Sequence, residues 1–345
     1  MLSQQDLNLT PEETAWLAST TVKNNDALEK RTDVENRFKP DKDVVIDQHT
    51  GLMWVKDAGL LEFPMTWEEA LSEIQGFNES GLFGYHDWKL PNRRELFSLM
   101  SHDVINPSVD AGHLFNGIFH GYYWTSTTCA RLPDQAWYIH LGGARVFKGM
   151  KHRSYMIWPV REIDPGGSQV CRTGQTICYD GSGHRMDCMG SGQDGEFQAG
   201  KPVPNPRFRS EGDWVHDTGT GLVWLKNAHV HPQPLDWEAA QDLVSQMNKD
   251  RAYGFDDWRV PEIRELESLT DMDCHSPALP VDHPFTDVQD FYWSATTSRY
   301  DTAYAWVLYT RDGPVGVGHK PLTEFFLWPV RGPDIGMGSG HETDR

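Results

Sequence analysis

The sequence predicts an α+β fold built from two tandem copies of one domain, each with two helices packed on short antiparallel strands. Three observations carry that reading. The stretch GYHDWKLPNRRELFSL at residues 84–99 returns as GFDDWRVPEIRELESL at residues 254–269. Landmarks around it recur 170 positions apart, among them Asp47 and Asp217, Trp54 and Trp224, Trp67 and Trp237, Pro107 and Pro277, and Phe115 and Phe285. Within each copy, apolar residues at helical spacing precede aromatic and β-branched runs of strand character. A period of this length marks whole domains, not the units of a solenoid.

Residues 1–36 begin with Thr10 as an N-cap, Pro11 in the first turn and Glu13 completing a capping box, so a helical arm is expected. Its apolar positions, Trp16, Leu17 and Leu28, are sparse, which fits a surface arm or one that docks on a partner or on the other repeat. The first domain is assigned to 37–161 and the second to 207–331. Each opens with D-x-x-T-G-L-x-W (47–54 and 217–224) or its close match, a turn that enters a strand with the Trp facing inward. A first helix follows, with Trp67, Ala70, Leu71, Ile74 and Phe77 on one face, or Trp237, Ala240, Leu243, Val244 and Met247. The prolines Pro91 and Pro261 keep the chain extended before a second helix that starts near Arg94 and Glu95, or Arg264 and Glu265. YWTSTT (123–128) and YWSATT (292–297), AWYI and AWVL, then MIWPVR and FLWPVR read as the strands of a meander. The register slips to 169 at Trp124 and Trp293 and returns to 170 at Trp158 and Trp328.

Residues 162–206 are rich in Gly, Ser and Pro and read as a linker with a small hairpin. Cys178 and Cys188 flank YDGSGHRMD, and a hairpin there brings their Cα atoms within disulfide range. Residues 332–345 read as a disordered tail.

Composition narrows the function. A formal net charge of −19 works against nucleic acid and anionic membranes as partners. No run of 18 apolar residues exists, and the N-terminus lacks a basic and an apolar signal region, so neither membrane insertion nor a signal peptide is expected. As written, the chain reads as cytoplasmic. Five cysteines leave at least one unpaired within the monomer.

The ordered motifs D-x-x-TGL-x-W, W-x-x-A, G-x-x-DW-[KR]-[LV]-P-x-x-x-EL-x-SL, YW-[TS]-x-T, AW and WPVR resemble the Lcl C-terminal domain family, also called DUF1566. The resemblance covers about 250 of the 345 residues. It implies a C-type-lectin-like fold used mainly as a binding scaffold in bacterial proteins, many of them exported. The namesake adhesin is associated with sulfated glycosaminoglycans. The fold is shared with enzymes, so function rests on the sites.

Residues common to both copies are expected to hold the fold. Trp88, Glu95 and Arg161, with Trp258, Glu265 and Arg331, belong to this group, and a buried ion pair is expected between Glu95 and Arg161 and between Glu265 and Arg331. Residues that differ are the candidate ligand contacts. In the first copy Arg145, Lys148, Lys151, His152 and Arg153 gather positive charge in an acidic chain, suited to a sulfated or carboxylated glycan or an acidic protein surface. The second copy keeps only His319 and Lys320 there, and offers instead Arg299, Tyr300, Asp301, Tyr304, Tyr309, Arg311 and Asp312. His229 and His231 form a possible metal pair without a third ligand, and His113 and His283 match between copies as packing residues.

Three functions are open. The first is a non-catalytic binding or adhesion-type protein that recognises a glycan or protein through late loops. The second is an accessory subunit of a larger assembly, joined through its N-terminal arm. The third is an enzyme of the formylglycine-generating or sulfoxide-synthase type, disfavoured because Cys129 and Cys274 are not equivalent and no three-His cluster is visible. No cofactor is expected.

Overall fold

The computed structural model describes residues 37–110 and 112–333; the expected helical arm at 1–36 and nearly all of the expected tail lie outside the described residues. The first domain runs through β1 (Phe38–Asp41), β2 (Val44–Asp47), β3 (Leu52–Val55), α1 (Trp67–Ser80), α2 (Arg93–Ser98), β4 (Tyr122–Thr128), β5 (Gln135–His140), β6 (Arg145–Met150) and β7 (Val160–Glu162). Between the domains come β8 (Cys178–Tyr179), β9 (Arg185–Met186) and the single turn α3 (Asp194–Phe197). The second domain repeats the order as β10 (Phe208–Glu211), β11 (Trp214–Asp217), β12 (Val223–Leu225), α4 (Trp237–Lys249), α5 (Ile263–Ser268), β13 (Phe291–Thr297), β14 (Tyr304–Tyr309), β15 (Val315–His319) and β16 (Val330–Arg331). Each domain is thus α+β, with its named strand pairs antiparallel.

Each domain closes its first sheet with its last strand, in the orders β1-β2-β3-β7 and β10-β11-β12-β16. Gly51 makes the β2–β3 turn at φ +70°, and a Cβ there would lie 2.7 Å from the carbonyl oxygen of Gly167, so the turn requires glycine. α1 starts on a capping box of Thr66 and Glu69, and α4 starts on Asp236, which accepts from the Ala239 amide. Arg37 holds Asp47 through two hydrogen bonds of 3.1 and 2.7 Å and also reaches the Ser98 carbonyl; Arg207 repeats this with Asp217 and Ser268.

Most tryptophans among the described residues are interior, and most find a main-chain acceptor for the indole N–H, as burial demands. Trp67 donates to the Thr125 carbonyl, Trp124 to Met65 and Trp158 to Val55; Trp237, Trp293 and Trp328 repeat the set with Ser294, Leu235 and Leu225. Trp54 packs edge-on against Trp158 at 5.6 Å, and Trp224 against Trp328 at the same distance.

The expected Glu95–Arg161 and Glu265–Arg331 ion pairs do not form. Glu95 pairs with Lys89, and Arg161 with Asp87 at 2.6 Å. In the second copy Glu265 pairs with Arg259 at 2.5 Å and Arg331 with Asp257 at 2.7 Å. The reason lies in the repeated D-W-[KR] stretch, which bridges to the last strand at Lys89 and Val160, or Arg259 and Val330. Its two charges supply nearer partners, so helix and strand are tied through the stretch. Trp88 and Trp258, between those charges, are buried as expected.

The two domains meet about a pseudo-two-fold. β6 and β15 pair antiparallel through Val146 and Val315, equivalent positions in the two copies, and merge the late strands into one sheet ordered β13-β14-β15-β6-β5-β4. This is the geometry of an isologous dimer joined in one chain. The helices follow it: Arg94 donates to the carbonyl of Thr270 at 2.7 Å, and its counterpart Arg264 to that of Met100, the counterpart of Thr270. One crossing breaks the symmetry. Arg93 is fully buried, stacks 4.5 Å over Trp137 and lies 3.8 Å from Glu267, whereas the equivalent residues are Ile263 and Phe97.

Residues 162–206 contain the expected hairpin, and Cys178 and Cys188 are bonded, with Cα atoms 5.2 Å apart. The segment is packed rather than a loose spacer. Tyr179, Gln193 and Asp194 are buried, Asp194 accepts from Thr127 and Thr173 at 2.7 and 2.6 Å, and the Thr173 carbonyl accepts from the Met272 amide at 2.9 Å. It therefore seals the first domain and touches the second.

Candidate functional site

The structure divides the predicted basic cluster of the first domain. Lys148 turns to the domain seam, where it shares Asp312 with Arg131. Lys151 is buried, 4.0 Å over the Trp67 ring, and donates to the carbonyls of Tyr179 and Asp180. Burial pushes its pKa down to about 7, against the pull of Asp180, Glu68 and Asp134. Neither ammonium is left free at the surface: the seam and the linker, invisible to a pattern of charges in sequence, engage them. Arg145, His152 and Arg153 remain exposed.

Arg145 and Arg153 border a surface that charge counting did not find. Tyr122, Tyr138 and Tyr155 form a triangle on the outer face of the late sheet, with ring centroids 5.0, 5.2 and 4.9 Å apart. His140 lies 5.0 Å from the Tyr122 ring and pairs across the strands with Arg145. None of the three phenol oxygens has a hydrogen-bond partner among the described residues. Burial raises the Tyr138 phenol to about 12, helped by its two tyrosine neighbours, and raises the Tyr155 phenol too, so these two stay neutral donors at physiological pH. Strand alternation places Tyr138 and His140 on one face, and the second copy has Phe291, Val307 and Phe325 where the first has the three tyrosines. That replacement of phenols by hydrocarbon between copies was the available signal.

The second set of predicted residues is scattered in its roles. Arg299 reaches across to Asp103 of the first domain at 3.2 Å, an exposed pair. Tyr300 is exposed, Tyr304 is half-buried beside His319, and Arg311 is exposed while Asp312 is consumed by Lys148. Tyr309 is half-buried, and its phenol, raised by burial, feels Arg145 across the seam. Lys320 lies 4.2 Å over Trp237 and donates to the Thr297 hydroxyl at 2.9 Å.

His231 engages the Gln233 carbonyl, His229 packs on Phe326, and His113 and His283 stack on Phe115 and Phe285. Among the described residues no three His, Cys, Asp or Glu side chains gather to hold a metal. Burial raises the Cys129 thiol, and burial with Asp271 and Asp273 raises Cys274 to about 11, opposite to the shift that activates a nucleophilic cysteine. No helix among the described residues is long and apolar enough to cross a membrane.

No curated protein and no solved structure matches the chain. The model of the Lcl C-terminal domain matches residues 43–161 and again 213–331, more than half of the sequence. The chain therefore belongs to the Lcl C-terminal domain family and carries that domain twice.

Proposed function

We propose that the protein is a non-catalytic binding protein, and that its ligand surface is the tyrosine-lined face of the first domain. The carrying observation is the triangle of Tyr122, Tyr138 and Tyr155, whose phenols have no partner among the described residues, bordered by exposed Arg145 and Arg153 in a chain of formal charge −19. Aromatic rings supply a flat apolar contact for a sugar, and guanidinium groups fork onto sulfate or carboxylate. A sulfated or carboxylated glycan fits this chemistry best, in keeping with a C-type-lectin-like scaffold.

The Cys178–Cys188 disulfide supports the exported alternative over the cytoplasmic reading, because such bonds persist in oxidising compartments. A glycan array at low and high salt tests the ligand. Sulfated glycans should bind at low salt and be released as salt rises. Retained binding in an Arg145→Glu/Arg153→Glu variant would remove this surface from consideration.

A further inference from the structure

Both domains build the same face from Trp, Lys, Glu and Thr, but the described chain covers it only once. In the first domain Lys151 donates to two successive carbonyls, Tyr179 and Asp180, at 3.0 Å each. Glu68 accepts from the Gly181 amide at 3.0 Å, and Gln175 bonds the main chain of Thr128 in both directions at 2.8 Å. The linker hairpin thereby closes over Trp67, which is 1% exposed.

The second domain repeats the receiving groups. Lys320 lies over Trp237 as Lys151 lies over Trp67, Glu238 stands for Glu68, and Thr297 for Thr128. Among the described residues no main-chain carbonyl reaches the Lys320 ammonium, Glu238 is exposed, and Trp237 and Thr297 are half-exposed. Only the buried carboxylate of the linker has an internal substitute: Thr296 donates to Glu262, as Thr127 donates to Asp194.

We propose that this face of the second domain docks a glycine-turn segment of another protein, read through its main chain, with successive carbonyls on Lys320 and a glycine amide on Glu238. The paired ammonium and carboxylate are matched to the opposite poles of uncharged peptide groups, whereas a purely anionic ligand would meet Glu238 and a purely cationic one Lys320. Gln241 and Ser245 replace Leu71, which a Cβ on the linker's Gly192 would meet at 3.5 Å, and Gln75, which donates to the Gly190 carbonyl, so the flanking side chains of the partner differ from the linker's own. This surface is separate from the tyrosine face and stands or falls without it.

The probe is the disulfide-closed peptide of residues 176–190, which carries the turn and omits Asp194. Titrated calorimetrically into the full chain, it should bind one to one. Lys320→Met and Glu238→Gln, the latter at an exposed site that leaves folding intact, should each weaken it about tenfold. The Arg145→Glu/Arg153→Glu variant should bind it unchanged. Absence of binding at millimolar peptide, or binding indifferent to both substitutions, overturns the proposal. So does binding seen only in a chain trimmed to residues 37–333, which would give the face to this protein's own residues 1–36 or to residues 334–345, where the linker's Met-Gly-Ser-Gly recurs.

Discussion

The two domains carry one frame and three differences. The first domain is sealed by the linker at Lys151, contributes Arg93 to the seam and presents phenols on its sheet; the second leaves Lys320 uncovered by the linker, contributes Glu267 and presents hydrocarbon. The shared Trp88, Glu95 and Arg161, with Trp258, Glu265 and Arg331, pack or pair inside their own domains. Unshared residues, by contrast, divide between ligand surface and domain docking, and Lys148, Asp312, Arg93 and Glu267 belong to docking.

The largest expected effect breaks the comparison at the seam. Arg93→Ala should cost about 3–5 kcal/mol by chemical denaturation, because it strips Glu267 of one partner in a buried site. The Arg93→Ile/Glu267→Phe double variant imports the apolar pair of the opposite crossing and should recover part of that loss. Strict additivity of the two single changes would show that they do not act together.

Removing the bond at Cys178 and Cys188 with a double serine variant comes next. The closed loop is short, with a sequence separation of 10, so a loss of about 2–3 kcal/mol is expected in thermal or denaturant unfolding. An unchanged midpoint would mean that the hairpin is held by packing alone.

Asp194 sharpens the role of the linker through pH. Burial raises its pKa to about 6 from 3.8, with Thr173 and Thr127 opposing the shift. Between those values the folded chain holds a proton that the unfolded chain has released, so this contribution is full below 3.8 and is lost as pH rises through about 6. The stability of the native protein relative to Asp194→Asn should therefore grow as pH falls from 6 towards 4. A difference independent of pH would contradict the buried, protonating carboxyl.

The smallest effect is at the rim. Arg299→Ala removes an exposed pair with Asp103 and should change stability by less than about 1 kcal/mol.

Much of this was legible from sequence. Repeats fix equivalences without any geometry, and helical spacing at Trp67 and Trp237 located α1 and α4, whose observed starts coincide with those residues. The hairpin between Cys178 and Cys188 was equally local. What escaped was every feature that depends on which surfaces meet. Lys151 reads as one more exposed charge until the linker is folded back over Trp67, and Lys148 until β6 is laid beside β15. Glu95 and Arg161 were correctly expected to be buried, but their partners Lys89 and Asp87 lie on the extended stretch whose path no periodicity reveals. The tyrosine triangle joins three separate segments, and only their pairing brings the rings together.

The contrast between a face sealed by the linker and one that the described residues leave open is tested most directly by mass-spectrometric footprinting of lysine acetylation in the native chain. Lys320 should be modified at least about tenfold faster than Lys151, which reacts only when the linker opens. Equal rates at the two lysines would contradict the account.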